Sequence, residues 1–346
     1  MARQRLAAPA HGFAMLVAVQ VAMVAALLAL GYGSEMASAR RVTAEQGLAA
    51  AINSTAKATR PVVVTITEDI VLTGSLPLIL GPIVIKGACG GRKCVIDGAG
   101  KYGIFQAYAA PPQCSVTIEN LILRNAAEGA VYSKCDLKLT RVHFAKNKGS
   151  SAAAVGNGLA KWHIEDCLFE KNSASGAGGA LYVSAAGRGR LVRTTFRSNR
   201  AGQDGGAVYI FGQVANAYVL DRVTLDSNTA GKSGGGLFVV GTASGAPKVF
   251  VSGCKFTKNV AAGGPGGALA LSYLLDARIC HTSIAGGRNS AKDGQGNDLA
   301  LLDGNYFPQM TVSFCPANPN SLSLFVTPVP RLPIVRQNCA VCALPR

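Results

Sequence analysis

The sequence predicts an all-β fold, a single-stranded right-handed parallel β-helix with an N-terminal capping helix, and three observations predict it. The first is an internal repeat. The stretch FEKNSASGAGGALYV, Phe169 to Val183, returns as Phe196, Asn199, Gly205, Gly206 and Ala207, then as Leu225, Asn228, Gly234, Gly235 and Gly236, then as Phe256, Asn259, Gly266, Gly267 and Ala268. The second is the period. Asn125, Asn147, Asn172, Asn199, Asn228, Asn259 and Asn289 lie 22, 25, 27, 29, 31 and 30 residues apart, a length at which one unit buries a core only against its neighbours. The third is strand-like alternation inside each period.

Arg3 and Arg5 precede an apolar run of 18 residues, Phe13 to Leu30, broken only by Gln20, and Ala37, Ser38 and Ala39 supply small residues for cleavage. Residues 1–39 therefore read as a secretory signal, with an uncleaved anchor as the alternative because the run just suffices to cross a bilayer. Thr43 to Gln46 has the form of a capping box, and Leu48 and Ile52 fall on one helical face. A helix within 40–60 would cover the first open sheet edge, which would otherwise recruit other chains. Asn53, Ser54 and Thr55 form a glycosylation sequon.

The β-helix is expected over 61–315. From Val62 the runs VVVTI, DIVL, PIVIKG and CVIDG make irregular first coils, and regular coils begin near Cys114. Counting back from the phenylalanine position, apolar residues favour offsets two, five and seven: Leu137, Leu139 and Val142 before Phe144, then Trp162, Ile164 and Cys167 before Phe169. Two period-two strands joined by a two-residue bend restore inward parity in this way. A third strand follows the glycines, as in Leu181 and Val183 or Val208 and Ile210. Three short strands per coil, stacked about 4.8 Å apart, describe the solenoid, and the rule for parallel crossovers makes it right-handed. After Ala300 the pattern fades, and residues 316–346, with six prolines, read as a Pro- and Cys-containing cap or tail.

Ten cysteines on a secretory route imply disulfides. Cys89 and Cys94 can close a small loop. Cys114 and Cys135 both sit nine residues before a phenylalanine-equivalent position, so they fall in register on adjacent coils and within bridging distance. Cys167 and Cys254 share an inward position three coils apart, about 14 Å, and should be buried thiols. The pairing of Cys280, Cys315, Cys339 and Cys342 stays open.

Only 15% of residues are charged, yet the net charge is +16, and losing residues 1–39 leaves +15. That sign favours anionic partners such as acidic or sulfated polysaccharides. Nucleic acid is less favoured, membrane contact is expected only through an uncleaved N-terminal segment, and the chain is expected to be a monomer. The residues just before the asparagines make a basic column: Arg124, Lys146, Lys171, Lys258 and Arg288, with Ser198 and Ser227 between them. Like charges repeated at sheet spacing repel, a cost that an anionic ligand relieves; the plain alternative is a solvated edge that discourages association.

The FxxN and GGA pattern, in Phe169, Asn172, Gly178, Gly179 and Ala180 and its repeats over Leu123 to Leu301, resembles the repeats of the polymorphic outer membrane proteins of chlamydiae. That resemblance implies a parallel β-helix displayed at the cell surface and used in adhesion, with these residues as scaffold. Too few residues follow the repeats for an autotransporter barrel. The architecture also resembles the pectin-lyase-like superfamily, many members of which cleave acidic polysaccharides, and VIDGAG, Val95 to Gly100, looks like an early coil of such proteins.

For catalysis, the candidates are Arg193, Asp204 and Arg222. Glycoside cleavage needs two carboxylates across the bond. A lyase needs a base and often calcium, with an arginine to polarise the uronate. Asp204 precedes glycine as turn residues do, and the arginines can instead form an exposed ion-pair ladder with Asp166 and Asp221. His143, His163 and His281 fall at different offsets, so no metal centre is expected. The reading is a secreted or cell-surface, non-catalytic adhesion or carbohydrate-binding protein for anionic glycans. No cofactor is expected, calcium entering only with a lyase. The alternatives are a polysaccharide lyase or glycoside hydrolase on a pectin-like polymer, and a structural wall or matrix protein.

Overall fold

In a computed structural model of the chain, residues 43–338 and Cys342 are described, apart from 110–113, 153–154, 158–159, 186–187, 213–216, 243–246, 275, 285–287, 303–309, 317–321 and 328–333. The expected signal, residues 1–39, lies outside the described residues. The helix Ala44–Ser54 starts on the capping box: Thr43 Oγ1 accepts from the Gln46 N–H, and Gln46 Oε1 accepts from the Thr43 N–H. Leu48 and Ile52 are buried against the first strands, so the helix covers the sheet edge as expected.

All strand pairings between named strands are parallel. They form sheets of eleven, eight, six and nine strands, each built from one strand per coil. One coil illustrates the design. Trp162–Glu165 lies in the eleven-stranded sheet, Leu168–Glu170 in the eight-stranded sheet, Ser173–Ala174 in the six-stranded sheet and Leu181–Ala185 in the nine-stranded sheet. The coil therefore has four strands where three are expected. The extra one is two residues long and follows the asparagine, too short to leave a mark in alternation.

Bends are made by residues of positive φ. Arg141, Asp166, Arg193 and Arg222 turn the first corner at φ of 54°, 54°, 44° and 55°. Lys146, Lys171, Ser198, Ser227, Lys258 and Arg288 turn the second, with φ from 54° to 58°. A left-handed residue between two strands changes chain direction and lets the inward alternation resume on the next face. Gly205 and Gly234, both at φ 66°, turn the third corner, where a Cβ would come within 2.4 and 2.6 Å of a carbonyl oxygen.

The core is a set of columns. Leu123, Phe144, Phe169, Phe196, Leu225 and Phe256 are all fully buried, and neighbouring rings stack with centroids 4.6 Å apart. The asparagines form a second column, from Asn147 to Asn289, nearly inaccessible to solvent. Each Oδ1 of this ladder from Asn172 onward accepts both the N–H and the side-chain amide of the asparagine one coil earlier. Trp162 and Tyr218 face each other at 6.3 Å across the coil between them, because Gly189 leaves room there: a Cβ on it would lie 1.9 Å from the indole.

Past Ala300 the stack continues. Thr311–Cys315 and Ile334–Gln337 extend the eleven-stranded sheet, and Leu324–Val326 extends the nine-stranded one, so the expected tail adds strands of its own. Disulfides join Cys89 to Cys94 and Cys114 to Cys135, the latter with Cα atoms 5.0 Å apart, as the register requires. A third joins Cys280 to Cys342, and Cys315 is also disulfide-bonded. Cys167 and Cys254 are buried thiols.

Candidate functional site

The second corner places the basic column. Left-handed geometry points Lys146 and Lys171 outward from one pair of adjacent coils and Lys258 and Arg288 from another, with Ser198 and Ser227 at the same corner between them, and all four basic residues are exposed. Their backbone is already committed, since the N–H groups of Lys146 and Lys171 donate to Glu170 and Arg197 of the next coil. Their side chains make no ion pair among the described residues, while Lys148 and Arg200, two residues beyond the corner, add further exposed charge.

Arg124 does not belong to this column. It pairs in register with Ala145 on the next coil, the residue before the corner, and Asn125 takes the corner place at φ 52°. Asn125 is thus not a rung of the ladder. Ala126 occupies that position and donates its N–H to Asn147 Oδ1. The spacing of 22 residues disguised the shift, because an asparagine happens to stand one place early.

Arg124 instead binds Asp97, Nε to Oδ2, at 2.7 Å. Burial pushes the Asp97 carboxyl up, but hydrogen bonds from Arg124, the Ala99 N–H and Asn125 outweigh it and hold the group below the usual carboxylate range. Beside this pair lies a hollow of about 560 Å³ lined by Asp97, Gly100, Asn125, Lys146 and Lys148. The first two lysines of the basic surface therefore border a concave face whose single carboxylate is occupied by Arg124.

The catalytic candidates do not assemble. Arg193 and Arg222 stand at the first corner, Asp204 just before the third. Arg193 binds Asp166 at 2.8 Å and also Glu165; these pairs raise its pKa and lower that of Asp166, while His163 first and Arg193 second lower that of Glu165. Arg222 binds Asp221 at 2.9 Å. Asp204 accepts the Ser233 N–H at 2.9 Å, joining two coils. Each carboxylate is thus held by a structural partner, in exposed pairs that solvent screens. Among the described residues, no three His, Cys, Asp or Glu side chains cluster as a metal site would need.

A second concentration of base escaped the sequence reading. On the outer face of the eleven-stranded sheet, Lys138, His163 and Arg190 pair in register, with Lys161 and Arg188 alongside. The signal was present at offsets six and eight before the phenylalanine, on either side of the apolar offset seven.

The parallel sheets, the left-handed corners and the asparagine ladder agree with one comparison: residues 83–273, more than half the chain, match the family described as right handed beta helix region. The chain belongs to that family. No curated protein and no solved structure matches this right-handed β-helix. Its disulfides suit an oxidising, extracellular environment, and among the described residues no helix is long and apolar enough to cross a membrane.

Proposed function

We propose that the protein is secreted or held at the cell surface, as an adhesion-type module that binds anionic glycans without cleaving them. One observation carries the reading: Lys146, Lys171, Lys258 and Arg288 recur along one corner, exposed and without acidic partners among the described residues. Like charges held on a rigid frame raise its free energy, and a polyanion lying along the frame removes that cost. Asp97, Asp166, Asp221 and Asp204 are bound to Arg124, Arg193, Arg222 and the Ser233 N–H in turn, which favours binding over hydrolysis or elimination by these carboxylates.

The test is retention and chain shortening on polygalacturonate, alginate and sulfated glycans, with and without calcium. Retention without shortening is expected. Replacing Lys146, Lys171 and Lys258 by glutamine should weaken it roughly ten-fold at low salt, since three exposed charges contribute roughly 1–3 kcal/mol together. Unchanged salt-sensitive retention by the folded triple variant would overturn the reading. Shortening would return attention to Arg193, Asp204 and Arg222.

A further inference from the structure

The hollow of about 560 Å³ beside Asp97 lies where the basic corner begins. One backbone bond marks that corner from coil to coil: the Gly98 N–H donates to the Arg124 carbonyl, Asn125 to Ala145, Lys146 to Glu170 and Lys171 to Arg197. Cations therefore start at Lys146, and the two coils before it place Gly98 and Asn125 at the corner instead. The residues that follow are small as well. Ala99 and Gly100 on one coil and Ala127 on the next all line the hollow, and a Cβ on Gly100 would meet nothing within 4 Å. Val71, 60% exposed on the outward face of its strand, forms another wall. Lys146 and Lys148 line the hollow from the coil beyond.

The polar groups of the hollow divide into those already engaged and those still open. Asp97 Oδ1 accepts the Ala99 N–H at 2.8 Å, and Oδ2 accepts from Arg124 Nε at 2.7 Å and Asn125 Nδ2 at 2.9 Å. Its charge is thus balanced within the chain. Lys146 and Lys148 are exposed and make no ion pair among the described residues. Asn125 turns its amide nitrogen to Asp97, and its Oδ1 has no partner among the described residues. The hollow therefore combines two uncompensated positive charges, one amide acceptor and the apolar surface of Val71 and Ala127. Its volume lies inside the usual range for small-molecule sites, which join apolar walls to a few placed polar groups. Two lysines call for an acid group, the amide oxygen for a hydroxyl donor and the apolar wall for a C–H face. An acidic sugar carries all three on one ring.

We propose that this hollow is the subsite that holds one acidic sugar unit at the start of the basic corner, its carboxylate or sulfate between Lys146 and Lys148 and a ring hydroxyl on Asn125 Oδ1. The role of this subsite rests on the reading of the corner as a polyanion track. The hollow fixes one unit by shape and hydrogen bonding, and Lys171, Lys258 and Arg288 hold the rest of the polymer by charge alone.

The full chain is titrated by calorimetry with galacturonate, galactose 6-sulfate, galactose, sodium acetate and sodium sulfate. The acidic sugars should bind saturably, and whichever binds tighter identifies the acid group. Galactose and the two salts should each bind at least roughly ten-fold more weakly, and Lys148→Gln should weaken the acidic sugars by roughly ten-fold, as loss of one hydrogen bond to a charged group does. Asn125→Gly tolerates the φ of 52° and removes the amide, so it should weaken binding several-fold. Ala127→Phe fills the hollow from a partly exposed position and should abolish binding in a protein that melts near the parent temperature.

Replacing Lys171 and Lys258 together by glutamine should lower retention on polygalacturonate and leave galacturonate binding unchanged, which separates the subsite from the track. No saturable binding of either acidic sugar would overturn the subsite; with polymer retention intact, the corner would still stand. Saturable binding with retention unmoved by the Lys171 and Lys258 changes would overturn the corner and leave the hollow as an isolated sugar site. Equal binding of galactose or of the salts would overturn the subsite too, as would binding untouched by both Lys148→Gln and Ala127→Phe.

Discussion

Both the backbone N–H and the side-chain amide of Asn172 donate to Asn199 Oδ1, one coil further on, at 3.1 and 2.9 Å. Asn199 in turn donates to the Phe169 carbonyl at 3.0 Å and to Asn228 Oδ1 at 3.0 Å. One buried amide therefore serves four partners on the coils either side. Replacing Asn199 by alanine strands several buried polar groups, each costing about 1–3 kcal/mol, so a loss of about 3 kcal/mol or more is expected in denaturant unfolding. Asn199→Asp should be at least as damaging, because it turns a donor into a charged acceptor facing two oxygens. A loss below about 1 kcal/mol in either variant would show the ladder to be ornamental.

The phenylalanine column makes a graded prediction. Phe169 stacks on Phe144 and Phe196, both at 4.6 Å, yet Leu225 fills the same place two coils after Phe169. Phe169→Leu should cost under about 2 kcal/mol, near the range of shape changes that a core absorbs. Phe169→Ala should cost about 3–5 kcal/mol through the cavity it leaves. Equal melting temperatures for the two variants would contradict this.

Acid should loosen the first coils through Asp97. Its folded-state pKa is depressed, so its contribution to stability is fully present above the ordinary carboxylate value of about 3.9. That contribution is lost as pH falls through the lower folded value. Asp97→Asn should be less stable than the parent by about 2 kcal/mol at pH 7, the scale of hydrogen bonds to a charged group. The gap between the two proteins should narrow below about pH 4, and a gap independent of pH from 7 to 2 would refute the assignment.

Burial pushes the thiols of Cys167 and Cys254 up to about 12. Thiolate is the reactive species, so neither cysteine should take up maleimide at pH 8 in the folded protein. Peptide mapping should find both labelled after unfolding in guanidinium without reductant. Labelling of either in native protein would show that its coil opens.

Most of the solenoid was legible because its signals repeat. Phe144, Phe169 and Phe196 fix an inward column, and the same alignment places Cys114 beside Cys135. What escaped was whatever occurs once or leaves no periodic trace. A two-residue strand such as Ser173–Ala174 is too short to alternate. Asn125 imitated a rung while Ala126 held the rung's place. The stack of Trp162 on Tyr218 went unseen because it depends on Gly189, whose missing side chain leaves room for the indole. Absence at one position is not a pattern.

The asparagine ladder also bears on how such a chain finds its fold. Partners are 25 residues apart between Asn147 and Asn172 and 31 between Asn228 and Asn259, and that separation is set by one coil, not by the length of the protein. The entropy of closing each loop is therefore nearly constant from one end to the other. Any coil can start the process and its neighbours can add in sequence, so lengthening the chain by whole repeats would extend folding time by steps of propagation without making any single contact harder to reach.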